Sequence, residues 1–243
     1  MSDNLKQFEA AIRAYVDKDD ALFLQRFFKT GVGQYGEGDF FIGIRVPKIR
    51  LVCKQFQNLM LDEIQKLLDS KIHEYRLAAL IIMNTQYSKG NEVYKRLLYE
   101  LYLKNVYEER INNWDLVDIS AHHIIGEYLQ SRPRSILFNL AKNENLWQRR
   151  VSIVSSFAFI KSGDASTSLE LAEVLLHDKE DLIHKAVGWM LREAGKRCSE
   201  EILLEFLDKH AFEMPRTMLR YSLEHLSVEQ KQYYMKQKIL RDS

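Results

Sequence analysis

The stretch NNWDLVDIS, Asn112 to Ser120, sets an indole and a carboxylate one helical turn apart. Trp114 and Asp118 stand at i and i+4, so on a helix both side chains point the same way. Acids favour water and indoles favour a core, so a shared face needs a reason. Trp147 and Trp189 also lie near charges: Trp147 comes three residues before Arg150, and Trp189 four after Lys185. Tryptophan is ordinarily a core residue. On a face shared with Arg150, Lys185 and Asp118, indoles would instead lie beside a polyanion. Aromatic faces next to cations suit the sugar and base surfaces of nucleic acid.

Two other constellations carry less. His122 and His123 adjoin, and Asp118–His122 is an i,i+4 pair, but no third or fourth ligand has the spacing of a metal site. GVGQYGEG, from Gly31, spells GxGxxG. That motif needs a strand before it and a helix opening on its last glycine. Here DALFLQRFFKT reads as a helix before the glycines, and EGDFFIGIRVP reads as loop after them. No nucleotide or other cofactor is expected. The segment reads as a flexible inter-helix loop, with Pro47 at the start of the next helix. That helix's free first-turn N–H groups, beside Arg45, Lys48 and Arg50, suit a phosphate.

The elements that must position these residues are helices. Only three prolines and ten glycines punctuate 243 residues, and five of the glycines fall between Gly31 and Gly43. Apolar residues recur at helical spacing nearly everywhere, without strand-like alternation. The chain therefore reads as all-α, with roughly a dozen helices. The helices repeat. HEYRLAALIIM, NWDLVDISAHHII, NLWQRRVSIVSSF, DLIHKAVGWMLRE and PRTMLRYSLEHL each open on a polar turn and run into an apolar helix. Anchored on Arg76, Asp115, Arg150, Lys185 and Arg220, they are spaced by 39, 35, 35 and 35 residues. A second helix lies between successive anchors. Such a period predicts an α-solenoid of HEAT or armadillo type, built from antiparallel helix pairs as a single domain over 1–243. If the same helix of each pair faces inward, Arg76, Arg150, Lys185 and Arg220 line a basic concave groove, with Arg149, Arg192 and Arg216 close by.

Composition sets few further limits. Apolar residues make up 46% and charged ones 28%, as in ordinary soluble proteins. The N-terminus is amphipathic and acidic with no apolar signal core, so a cytoplasmic protein without membrane contact is expected. Cys53 and Cys198 form no CxxC pair and read as free thiols. With 35 basic against 34 acidic residues, net charge neither suggests nor excludes a polyanion partner.

WDLVD from Trp114, NLWQRR from Asn145 and IHKAVGWMLRE from Ile183 occur in the order and repeats of a known family. Over most of its length the sequence resembles the HEAT-like DNA alkylation repair glycosylases, the AlkD family. The resemblance implies a monofunctional, monomeric enzyme that acts on double-stranded DNA containing N3- and N7-alkylated purines and associates with the nucleoid when bound. It implies no tight pocket for a flipped base. Asp118, Trp114 and Trp189 would cradle the deoxyribose, and Arg150 would hold the backbone near the lesion. Arg149, Lys185, Arg192, Arg76, Arg220, Arg45 and Lys48 would complete the DNA-facing set. Phe27 stands where the family carries a tyrosine near the lesion, and it lacks the hydroxyl. The chemistry fits the residue types. A cationic purine leaves without strong acid help, charge builds on the sugar, and a carboxylate with indole faces stabilises that cation. Asp115, pointing away from Asp118, reads as structural. Two alternatives stay open: a non-catalytic protein that binds distorted or branched DNA, and a protein-binding scaffold.

Overall fold

A computed structural model describes residues 3–237. It is helical throughout. Among the described residues there is no strand, and only a lone parallel bridge joins Phe40 to Ile72. The chain divides into two compact units, residues 1–120 and 121–243.

The first unit holds α1 (Asp3–Arg13), α2 (Lys18–Phe27), α3 (Val46–Gln55), α4 (Leu61–Leu68), α5 (His73–Lys89), α6 (Glu92–Tyr107) and α7 (Trp114–Ala121), whose last residue falls in the second unit. Its core is built around α5, against which α3, α4 and α6 pack. Leu77, Leu80, Ile82 and Met83 of α5 are buried with Ile49, Val52, Ile64, Leu67 and Leu98. Each such side chain contributes about 1.5–3 kcal/mol through removal from water. The first turn of α5 is the exception to this apolar rule. His73, Glu74 and Arg76 are buried too, so each must find a partner.

The glycine-rich segment between α2 and α3 supplies those partners. It is not the flexible loop expected, because its second half is tied down. The Glu74 carboxylate accepts backbone N–H groups from Ile42, Gly43 and Ile44 at 2.8–3.2 Å. Successive N–H groups that converge in this way form an anion nest. Gly43 has φ of +84°, and a Cβ there would lie 1.8 Å from the Asp17 carbonyl oxygen. Only glycine lets the loop press so closely on the start of α2.

The second unit opens on a π-helical turn (His122–Gly126) and continues through α8 (Ser135–Ala141), α9 (Leu146–Ser155), α10 (Phe157–Lys161), α11 (Ser166–Val174), α12 (Asp181–Arg197), α13 (Glu200–His210), α14 (Arg216–Ser222) and α15 (Val228–Gln237). Here α12 is the central helix and packs on α9, α11, α13 and α14. Ile183, Val187, Met190 and Leu191 form its buried stripe. Gly188 admits the Met218 carbonyl of α14, which would lie 2.5 Å from an added Cβ.

Candidate functional site

Helix α7 begins at Trp114, and the residues around that start are held from behind. Asn113 is fully buried. Its side-chain oxygen accepts the Trp114 N–H at 2.9 Å, and its amide donates to Asp39 Oδ2 at 2.8 Å. Asp115 Oδ1 accepts the Leu116 N–H at 2.8 Å, while Oδ2 meets His73 Nε2 at 2.8 Å. The other ring nitrogen of His73 meets Asp39 Oδ2 at 2.9 Å. Arg76 completes the set by pairing with Asp39 Oδ1 and donating to the Asn112 side chain and the Arg110 carbonyl.

Both nitrogens of His73 thus face carboxylates, an arrangement that needs a doubly protonated ring. Burial would push the imidazole down, but the charge and hydrogen bond of Asp115, then those of Asp39, raise it to about 9. For Asp39, burial would push the carboxyl up. The hydrogen bond to His73 and the Arg76 and His73 charges outweigh it and hold the group below its usual range. Within this cluster two cations, His73 and Arg76, meet two anions, Asp39 and Asp115.

An aromatic stack carries this order outward. Phe41 lies on the His73 ring with centroids 4.4 Å apart, Phe28 stacks on Phe41 at 4.7 Å, and the Trp114 indole stacks on Phe28 at 5.2 Å and 12°. Phe27 meets the indole edge-on at 6.1 Å. Trp114 is half-buried, and so is Asp118, one turn further along α7. Three residues apart, the two acids of WDLVD have different destinations: Asp115 is bound inward to His73, while Asp118 shares the face of Trp114. The field of Asp118 adds to burial in raising the phenol of Tyr102.

In the second unit Trp189 is half-buried on α12, with its ring 5.8 Å from that of Phe157. Lys161 and Arg197 stand over the Phe157 ring at 5.6 and 5.3 Å. Trp147 is buried at the start of α9.

The basic residues correct one expectation. Arg76 and Arg150 are 4% and 5% exposed, so neither lines an open groove. Each reaches ahead along the chain by about the spacing of the sequence period. Arg76 bonds groups 34 and 36 residues on, and Arg150 donates to the Leu182 carbonyl, 32 residues on. Arg149 does the same with Asp178 at 2.6 Å, and Arg192 pairs with Glu224. For Arg76 and Arg150 the position therefore has a structural cause: each fastens a helix start to a segment further along the chain. Lys185 pairs with Asp181 at 2.7 Å on its own helix. Arg220, Arg45 and Lys48 are exposed. Arg220 lines a shallow cleft with Tyr221, Glu224 and Lys231, Arg45 pairs with Asp20, and Lys48 stands 5.2 Å over the Tyr15 ring.

The sequence reasoning missed His73, Asp39, Asn113 and Glu74. For His73 and Glu74 the signal was present, since they and Arg76 crowd the head of the apolar helix HEYRLAALIIM. Among the described residues no group of three or more His, Cys, Asp or Glu side chains could hold a metal, and no helix is long and apolar enough to cross a membrane.

The DNA alkylation repair enzyme family matches residues 8–226, a span that covers most of both units and includes Trp114, Asp118 and Trp189. The chain belongs to this family. A solved structure described as a predicted DNA alkylation repair enzyme from Enterococcus faecalis is similar over 88% of this chain and 97% of that one. Its TM-score is 0.66 at 16% identity, a likeness of fold alone. No curated protein matches.

Proposed function

We propose that this family member is a monofunctional DNA glycosylase that releases cationic N3- and N7-alkylated purines from double-stranded DNA. The observation that carries the reading is the head of α7. There Trp114 is stacked in place, Asp115 is bound to His73, and Asp118 stands one turn along α7 on the indole's face. In the proposed reaction the bond between C1′ and the alkylated base breaks, and its electron pair neutralises the purine. The Asp118 carboxylate and the Trp114 face stabilise the oxocarbenium that remains. Water adds to C1′ and passes a proton to Asp118.

Trp189 keeps the role of a further wall that the resemblance assigns it. Arg45, Lys48, Arg220 and Lys185 are the proposed phosphate contacts, with Arg149 and Arg192 contributing what their ion pairs leave exposed. Arg150, being buried, acts in this reading by seating the start of α12 rather than by touching DNA. The 35-residue period and the bonds that reach one repeat ahead support HEAT-like repeats over 1–243. The protein is proposed to act as a monomer in the cytoplasm and on the nucleoid, without metal or cofactor.

Single-turnover release of 7-methylguanine from a duplex at saturating enzyme tests the proposal. Release at a rate well above the spontaneous one is expected. Phe27, which brings no hydroxyl to the edge of Trp114, favours a second reading, a non-catalytic binder of distorted DNA. Duplex binding without release of any cationic base would choose that reading.

A further inference from the structure

Helix α2 buries none of its ten residues. Yet it carries Leu22, Phe23 and Phe27, which are 64%, 44% and 53% exposed. The helix is tied at both ends, and on its inner face Ala21, Leu24 and Gln25 are only half-buried. Asp17 caps it, accepting the Asp19 and Asp20 N–H groups at 2.9 and 2.8 Å, and the Asp17 N–H donates to the Ile42 carbonyl. At the other end the Tyr35 hydroxyl reaches the Phe27 carbonyl. Phe23 and Phe27 lie one turn apart with rings nearly parallel, at 15° and 5.9 Å, and Phe27 continues the line to Trp114.

Cations are interleaved with these rings. The Arg45 guanidinium stands 4.8 Å over Phe23, Lys48 stands over Tyr15, and Lys29 lies 5.8 Å from the centre of the Tyr35 ring. This surface alternates flat rings with cations, of which Arg45 is held by Asp20. That alternation matches a ligand that has flat faces and a regular negative charge. Intact duplex offers phosphates and sugars but hides its base faces, and an unstacked nucleotide offers both.

We propose that Phe23 and Phe27 form a ledge on which an unstacked nucleobase of DNA lies, with Arg45 turning from the Phe23 ring and from Asp20 onto the adjoining phosphate. The inference rests on the DNA-binding part of the proposed function and extends it. It assigns the protein a preference for locally disrupted DNA independent of any base release.

The test uses unmodified oligonucleotides, so catalysis plays no part. Anisotropy titrations compare a short perfect duplex with the same duplex carrying a single-nucleotide bulge. The wild type is expected to favour the bulge by roughly tenfold, the range of one base–aromatic stack. Phe23→Leu keeps the apolar bulk and removes the ring. It should bring the ratio close to one at an unchanged melting temperature, and Phe23→Trp should restore it. Equal wild-type affinity for both duplexes sinks the ledge and leaves the glycosylase reading standing, as does a preference that survives in Phe23→Leu. Binding to neither duplex overturns the ledge together with DNA binding. Self-association that is lost in Phe23→Leu would give the face to a second copy of the chain and overturn the proposal.

Discussion

The settings of Trp114 and Trp189 differ in what stands behind the indole, and the contrast is clearest in two histidines. Behind Trp114, through Phe28 and Phe41, lies His73, a buried imidazolium with a carboxylate on each nitrogen. Behind Trp189, through Phe157, lies His122, whose ring meets Phe157 edge-on at 5.3 Å. Burial, then the nearby charges of His123 and Lys161, push His122 down to about 3, and its Nδ1 has no hydrogen-bond partner among the described residues. One residue type in two partly apolar settings thus takes opposite protonation states, and the carboxylates decide which. The indole in the first unit is backed by buried charge. The one in the second is fixed by packing, with Lys161 and Arg197 outside it on ion pairs to Glu127 and Glu193.

The largest effect should come from breaking the charged network. Arg76→Ala leaves Asp39 buried beside a single cation and should cost about 3–5 kcal/mol in chemical denaturation. Arg220→Ala should leave stability unchanged and reduce the salt dependence of duplex binding by about one phosphate contact. If Arg76→Ala were as stable as wild type, the view of the helix-start arginines as fasteners would be wrong.

The two acids of α7 sharpen the contrast next. Asp118→Asn should slow base release by about two to three orders of magnitude, the value of one preorganised electrostatic group, with DNA binding kept. Asp115→Asn removes a partner of His73, so it should lower the melting temperature and leave the rate of the folded enzyme nearly intact. Equal rates in the two variants would deny Asp118 its role.

The histidines should show opposite pH dependence. His73 is raised in the fold, so its stabilisation is complete below about 6.5, declines above that and is gone as pH passes about 9. On the order of 3 kcal/mol is at stake. His122 is lowered in the fold, so it opposes folding increasingly as pH drops below about 6.5 toward 3. Denaturation midpoints against pH should flatten on the alkaline side in His73→Gln and on the acid side in His122→Gln. A slope that stays in the matching variant would mean another group carries it.

The smallest contrast lies between the indoles themselves. Trp114→Ala and Trp189→Ala should each slow release roughly tenfold, the worth of one cation–π wall. Trp114→Ala should also lower stability, because it strips the outer end of the stack built on Phe28. Full activity in either variant would remove that indole from the cradle.

Much of this was legible in the sequence, and the limits have identifiable causes. Helical spacing is a local property. The all-helical fold, the helix that opens at Trp114, the shared face of Trp114 and Asp118, and the opposite aim of Asp115 therefore follow from residue order alone. So does the failure of the GxGxxG match, since α2 and not a strand precedes it. What periodicity cannot report is which face the neighbouring repeat covers. A cation at a helix start reads the same whether it waits in solvent or bonds a carbonyl 32 residues on, and so Arg76 and Arg150 read as groove residues. The glycine-rich segment read as loose because glycine permits motion, yet Glu74 ties down its second half by collecting three N–H groups. That bond joins residues about thirty positions apart, as does the pairing of Asp39 with His73. The face of α2 shows the reverse case. Leu22, Phe23 and Phe27 have the pattern of a buried stripe, and only the packing around the helix leaves them in solvent. Sequence order determines what each helix can offer, and the long-range contacts of the folded chain decide which of those offers is spent inside and which remains for a ligand.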